Sequence, residues 1–84
     1  MLAVEIVTPR AVAWSGKALE VAAPGTEGEF GVLPGHIPFL TTLKTGMVTV
    51  KAEGGVKRFL TGPGFAEAGP DRIVLLVESC QAQE

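Results

Sequence analysis

Met47-Val-Thr-Val-Lys-Ala-Glu-Gly-Gly-Val-Lys-Arg-Phe-Leu-Thr61 is the stretch that decides the fold class. Two runs rich in β-branched residues, Met47–Ala52 and Val56–Thr61, flank Glu53-Gly54-Gly55, where glycine supplies the positive φ that a tight hairpin demands. Read outward, the same texture repeats. Eleven glycines and six prolines punctuate 84 residues, and the pieces between them are short and apolar. Short, evenly spaced strands of this kind mark an all-β domain.

Towards the N-terminus, Leu2, Val4 and Ile6 alternate with Ala3, Glu5 and Val7, so Leu2–Thr8 is expected as a strand with one apolar face. Thr8-Pro9-Arg10 breaks it. Ala11–Ser15 follows, ending at Gly16, and Leu19–Ala23 is stopped by Pro24-Gly25. Gly25–Gly35 holds four glycines and a proline, leaving room only for a brief piece such as Phe30–Leu33. Phe39–Leu43 is closed by Lys44-Thr45-Gly46. Beyond Gly62-Pro63-Gly64, Phe65–Ala68 leads into Arg72–Glu78, a buried final strand with Ile73 to Val77 as core. Gln81–Glu84 is compatible with a helix but too short to hold one. Such strands call for two packed sheets or a closed barrel, in one domain over residues 1–84.

The chain carries seven basic and nine acidic residues, well mixed, for a net charge of −2, which offers nucleic acid no basic field. No apolar run approaches the ~18–20 residues of a membrane-crossing helix, so no membrane insertion is expected. The single Cys80 excludes an internal disulfide and a thiolate metal cluster, and a lone thiol fits a reducing compartment. The N-terminus has no basic segment ahead of its apolar residues and does not read as a secretory signal.

Catalytic chemistry is not legible. The one histidine, His36, has no adjacent acid to orient it, and Cys80 lies near the C-terminus, so no nucleophile–base pair is set out. No phosphate-cradling loop is present. Gly25-x-x-Gly28-x-x-Gly31 carries Glu27 and Glu29, which repel anions. No catalytic residue, cofactor, metal or small-molecule ligand is expected. A carrier domain would present a lysine at a hairpin tip; Lys44 and Lys51 lie near turns but lack the flanking residues of such domains.

Pro24-Gly-Thr-Glu-Gly-Glu-Phe-Gly-Val-Leu-Pro-Gly-His-Ile-Pro-Phe-Leu-Thr-Thr-Leu-Lys-Thr-Gly46 resembles the signature of the epsilon subunit of F-type ATP synthases. Glu5-Ile-Val-Thr-Pro9, Ser15-Gly16, Gly62-x-Gly64-Phe-Ala-Glu67 and Arg72-Ile-Val-Leu-Leu-Val-Glu78 are similar to other parts of that family, so the resemblance covers nearly the whole chain. It implies a flattened β-sandwich of about ten short strands. It also implies a non-catalytic rotor subunit of the central stalk, which binds the gamma subunit and the c-ring and couples ring rotation to ATP synthesis. The implied place is the cytoplasmic face of the bacterial inner membrane, as a peripheral component. The family's C-terminal helical hairpin would begin where this sequence ends, so that regulatory element is expected to be absent. The competing reading is a stand-alone small β binding or carrier domain.

By the same resemblance, His36, Ile37, Phe39, Thr41 and Thr42 are the expected gamma contacts, and Glu27, Glu29 and Phe30 the expected c-ring contacts. A basic ring loop would give Glu29 a charge-assisted contact, although a carboxylate on a glycine-rich loop can simply be solvated. His36 can instead close its own loop. Phe30 to Leu43 contains no formal charge, which favours a partner over part of it. Thr41 and Thr42 must point to opposite sides of their strand. Trp14 reads as a partly exposed packing residue, and Lys51, Lys57 and Arg58 as a solvated hairpin face.

Overall fold

The computed structural model describes residues 1–83. Ten strands cross them: β1 (Leu2–Val7), β2 (Val12–Ala18), β3 (Glu20–Gly25), β4 (Gly28–Val32), β5 (Phe39–Leu43), β6 (Gly46–Ala52), β7 (Gly55–Thr61), β8 (Gly64–Ala68), β9 (Arg72–Val77) and β10 (Cys80–Gln83). The all-β expectation holds. One hydrogen-bonded path runs β10-β7-β6-β3-β5-β8-β9-β1-β2, with β4 on the other side of β3. It folds into two five-stranded layers, β4-β3-β6-β7-β10 and β5-β8-β9-β1-β2. The layers are joined where Gly25 pairs with Leu43.

Between the layers lies the core, built by strict alternation. Leu2, Val4 and Ile6 of β1 and Ile73, Leu75 and Val77 of β9 face Val21, Val48, Val50 and Phe59 of the other layer. Full burial of each such aliphatic side chain is worth about 1.5–3 kcal/mol before chain entropy is subtracted. Almost all pairings are antiparallel; β1 and β9 run parallel, Ala3 opposite Arg72 through Val7 opposite Leu76.

Several sequence boundaries move, each for a local reason. β2 does not stop at Gly16 but runs on to Ala18. The Trp14 ring lies over Gly16, where a Cβ would come within 2.8 Å of it. β3 continues through Pro24-Gly25. In an antiparallel strand a residue's N and O point to the same side, and Pro24 O accepts from Lys44 N at 2.9 Å. The missing N–H of Pro24 therefore falls at the seam where β6 gives way to β5, where the ladder is already interrupted and at most one bond is forgone.

Arg72–Glu78 is neither final nor buried on both sides. Val74 is half-buried and Leu76 is exposed on the outer face, because nothing among the described residues covers that face. Cys80–Gln83 is not helical; it adds to the free edge of β7, Cys80 opposite Thr61 and Gln83 opposite Arg58. Glu84 lies outside the described residues.

Candidate docking surfaces

The signature segment folds into a hairpin followed by a loop. β3 and β4 are linked by Thr26-Glu27, with Gly25 opposite Gly28. Gly28 at φ 135° takes a conformation that L side chains rarely adopt. Glu27 stands at the tip and Glu29 follows, opposite Pro24; both are exposed. The hairpin is tied to β5 at its base. Thr26 N donates to Thr42 O at 3.1 Å, and the two threonine hydroxyls lie 2.7 Å apart.

The loop from Leu33 to Pro38 is held by Gly35, at φ 86°, whose N donates to Pro70 O at 2.6 Å. His36 Nδ1 lies 2.7 Å from Ile37 O. A carbonyl only accepts, so Nδ1 carries the proton and Nε2 is left free. The imidazole meets Phe39 edge to face at 4.9 Å, and Phe39 meets Phe30 likewise at 5.4 Å. Both phenylalanines are half-buried and pack against the core.

These contacts bring most of the expected site residues into one open notch of about 340 Å³. Glu27, Glu29, Phe30, His36, Phe39 and Thr41 line it. Residues assigned from the resemblance to two partners therefore share one notch. Ile37 and Thr42 stand outside it. Ile37 is 78% exposed, and Thr42 points to the outer face of the second layer, as Leu40 does.

That outer face holds a feature absent from the sequence reading. Residues directly opposite one another share a face, and register places Thr42 opposite Phe65, Phe65 opposite Leu76, and Leu76 opposite Val7. Phe65 is 51% and Leu76 44% exposed. With Pro9 and Pro63 they border an apolar hollow of about 420 Å³. The unbroken Ile73–Val77 run hid this row, because a strand without alternation does not say which face is covered. Phe65 alone gave a hint, as an aromatic between two glycine-rich turns.

Cys80 sits on β10 in a separate hollow with Thr61, Ser79 and Gln81, away from His36. Desolvation pushes its thiol above the ordinary value, which holds it in the unreactive protonated form. Among the described residues no group of three acidic, histidine or cysteine side chains is placed to hold a metal, and no helix is long and apolar enough to cross a membrane.

Residues 1–83 match the family described as ATP synthase, Delta/Epsilon chain, beta-sandwich domain. The ATP synthase epsilon chain of Desulfatibacillum aliphaticivorans is 49% identical, over 92% of this chain and 55% of that protein. That of Caulobacter vibrioides is 47% identical, over 87% of this chain and 85% of that protein. The chain thus spans little more than half the length of the first of these relatives. Among solved structures, a chain of the Euglena gracilis mitochondrial ATP synthase (OSCP/F1/c-ring) superposes with a TM-score of 0.89 at 20% identity, over 96% of this chain and 52% of that one. A chain of the Tetrahymena thermophila mitochondrial ATP synthase central stalk and c-ring gives 0.78 at 17%, over 95% and 65%. At such identities the shared property is the fold. The family match over residues 1–83, with named relatives near half identical, establishes that this chain belongs to the delta/epsilon β-sandwich family of ATP synthases.

Proposed function

We propose that this domain is the β-sandwich of an ATP synthase epsilon chain, a non-catalytic part of the central stalk. In this reading it docks the gamma subunit through the outer face of its second layer, Thr42 included, together with the exposed Ile37 of the Leu33–Pro38 loop. The acidic hairpin with Glu27 and Glu29 meets the loops of the c-ring, and the notch around His36 lies between the two. The pair of contacts couples ring rotation to ATP synthesis at the cytoplasmic face of a bacterial inner membrane. The relatives' names and the central-stalk assembly from Tetrahymena support the setting.

The observation that carries the reading is the row Thr42–Phe65–Leu76–Val7. It crosses four strands without a charge, and its two largest side chains are about half exposed. Leaving such a row in water forgoes ~25 cal/mol for every Å² that a partner could cover, and contiguous exposed apolar surface marks an interaction site. Leu76→Asp should abolish binding to purified gamma while the sandwich stays folded, because Leu76 supports no core contact. Leu60→Asp, at a comparably exposed position on the outer face of the first layer, should bind as the parent does. Normal gamma binding by folded Leu76→Asp would refute the assignment.

A further inference from the structure

The outer face of the second layer carries more than an apolar row. Two residues along each strand, register aligns Leu40, Glu67, Val74, Glu5 and Ser15. Two residues further, Arg72 and Lys17 flank Ala3. The face is therefore banded: an apolar row, a row with two carboxylates, and a row with two cations. Successive rows lie about 7 Å apart, and the apolar row is about 15 Å long, from a rise of ~3.4 Å per residue and a strand spacing of ~4.8 Å.

These charges are not spent within the domain. Glu5, Glu67, Lys17 and Arg72 are all exposed. Among the described residues the only ion pair is Lys51 with Glu20, on the other layer. Glu67 and Arg72 border the same small hollow and still form no bridge. Either carboxylate is then free to meet a partner's cation at the rim of the apolar row.

We infer that the bands set the orientation of whatever docks here. The fitting partner is a protein surface with an apolar ridge about 15 Å long and basic side chains about 7 Å to one side of it. Seated with its ridge on Phe65 and Leu76, it places those basic groups over Glu67 and Glu5. Turned end for end, it loses both of these carboxylates and finds on that flank of the hollow only Glu78. Apolar burial supplies affinity, while the acidic row selects the orientation and speeds the encounter. This rests on the proposed docking of gamma on this face.

The test measures association of the domain with purified gamma at 50 mM and 1 M salt. Reversal of both carboxylates, Glu5→Lys with Glu67→Lys, should slow association and weaken binding about tenfold at low salt. Most of the loss should disappear at 1 M, where the Debye length is only about 3 Å. Reversal of the cations, Lys17→Glu with Arg72→Glu, should leave binding intact or speed association. If the carboxylate reversal binds within twofold of the parent at low salt while Leu76→Asp does not bind, the bands have no orienting role and the docking face stands. A loss as large at 1 M as at 50 mM salt would also overturn the inference. If Leu76→Asp binds normally, the face is not the interface and both readings fall.

Discussion

The indole of Trp14 lies against the ring of Phe59, with centroids 5.8 Å apart and planes tilted by 45°. Trp14 belongs to β2, at one end of the hydrogen-bonded path, and Phe59 to β7, near the other. Among the described residues no ladder joins these ends. Side-chain packing between the two rings helps to hold the path nearly closed, and it does so over the bare backbone of Gly16.

Trp14→Ala should therefore cost more than a surface change. The ring is half-buried, so the loss is expected at about 2 kcal/mol, below the 3–5 kcal/mol of a fully buried tryptophan. Urea denaturation followed by far-ultraviolet circular dichroism measures it. Trp14→Phe should recover much of the loss, since an aromatic pair with Phe59 remains possible.

A second stability prediction separates two glycines. At Gly64, in β8, an added Cβ would collide with the backbone carbonyl of Leu76 in β9. A rigid strand cannot yield, and Gly64→Ala should cost about 3 kcal/mol or prevent folding. At Gly54, in the β6–β7 turn, a Cβ meets nothing within 4 Å. Gly54→Ala should stay within about 0.5 kcal/mol of the parent. Thermal melts of the two variants side by side decide the matter; equal melting temperatures would contradict the geometry.

The acidic hairpin makes a prediction of different character. Glu29 is exposed, so a contact between it and a basic ring loop is worth only about 0–1 kcal/mol. Glu29→Lys should weaken attachment to ring-containing membranes, with a deficit that shrinks from 0.1 M to 1 M salt as the Debye length falls from about 10 Å to about 3 Å. Gamma binding should be unchanged. Co-sedimentation with the membranes and a pull-down on gamma read the two effects separately.

Desolvation raises the Cys80 thiol above its ordinary value of 9.0. A group whose folded pKa is raised holds its proton more tightly when folded, so its contribution to stability is complete below the unfolded value and is lost as pH climbs through the folded one. Stability should thus fall in the range above about pH 9, and Cys80→Ala should remove that part of the decline. Iodoacetamide should label the native thiol more slowly at pH 8 than it labels the urea-unfolded chain.

Nine of the ten strands were legible because β-branched runs and glycine turns alternate so regularly; the order in which they pair was not, because it rests on contacts distant in sequence. Continuation through Gly16 and Pro24 was not, since each depends on a partner distant in sequence: the Trp14 ring in one case, the seam with Lys44 in the other. Cys80–Gln83 has no strand pattern of its own and becomes one by taking the open edge of β7. The site divided in the same way. The resemblance picked out Glu27, Glu29, Phe30, His36, Phe39 and Thr41, which the fold draws into one notch, but local spacing gave no sign that they would share it. Phe65 and Leu76 escaped notice because only the register of β8 on β9 places them side by side.

The parallel pairing of β1 with β9 bears on how this protein is made. β1 is an inner strand of its layer, yet its second neighbour, β9, comes eight strands later in the sequence. On the ribosome β1 can form a hairpin with β2, but its far edge stays open until residue 77 has emerged. Until then β1 and β2 are not joined to β8 and β5 of their own layer, and an unpaired edge is a template for wrong partners. Completion of the sandwich is in consequence a late, nearly all-or-none event of high contact order. Nascent chains of this domain depend on exposing β9 before they meet one another.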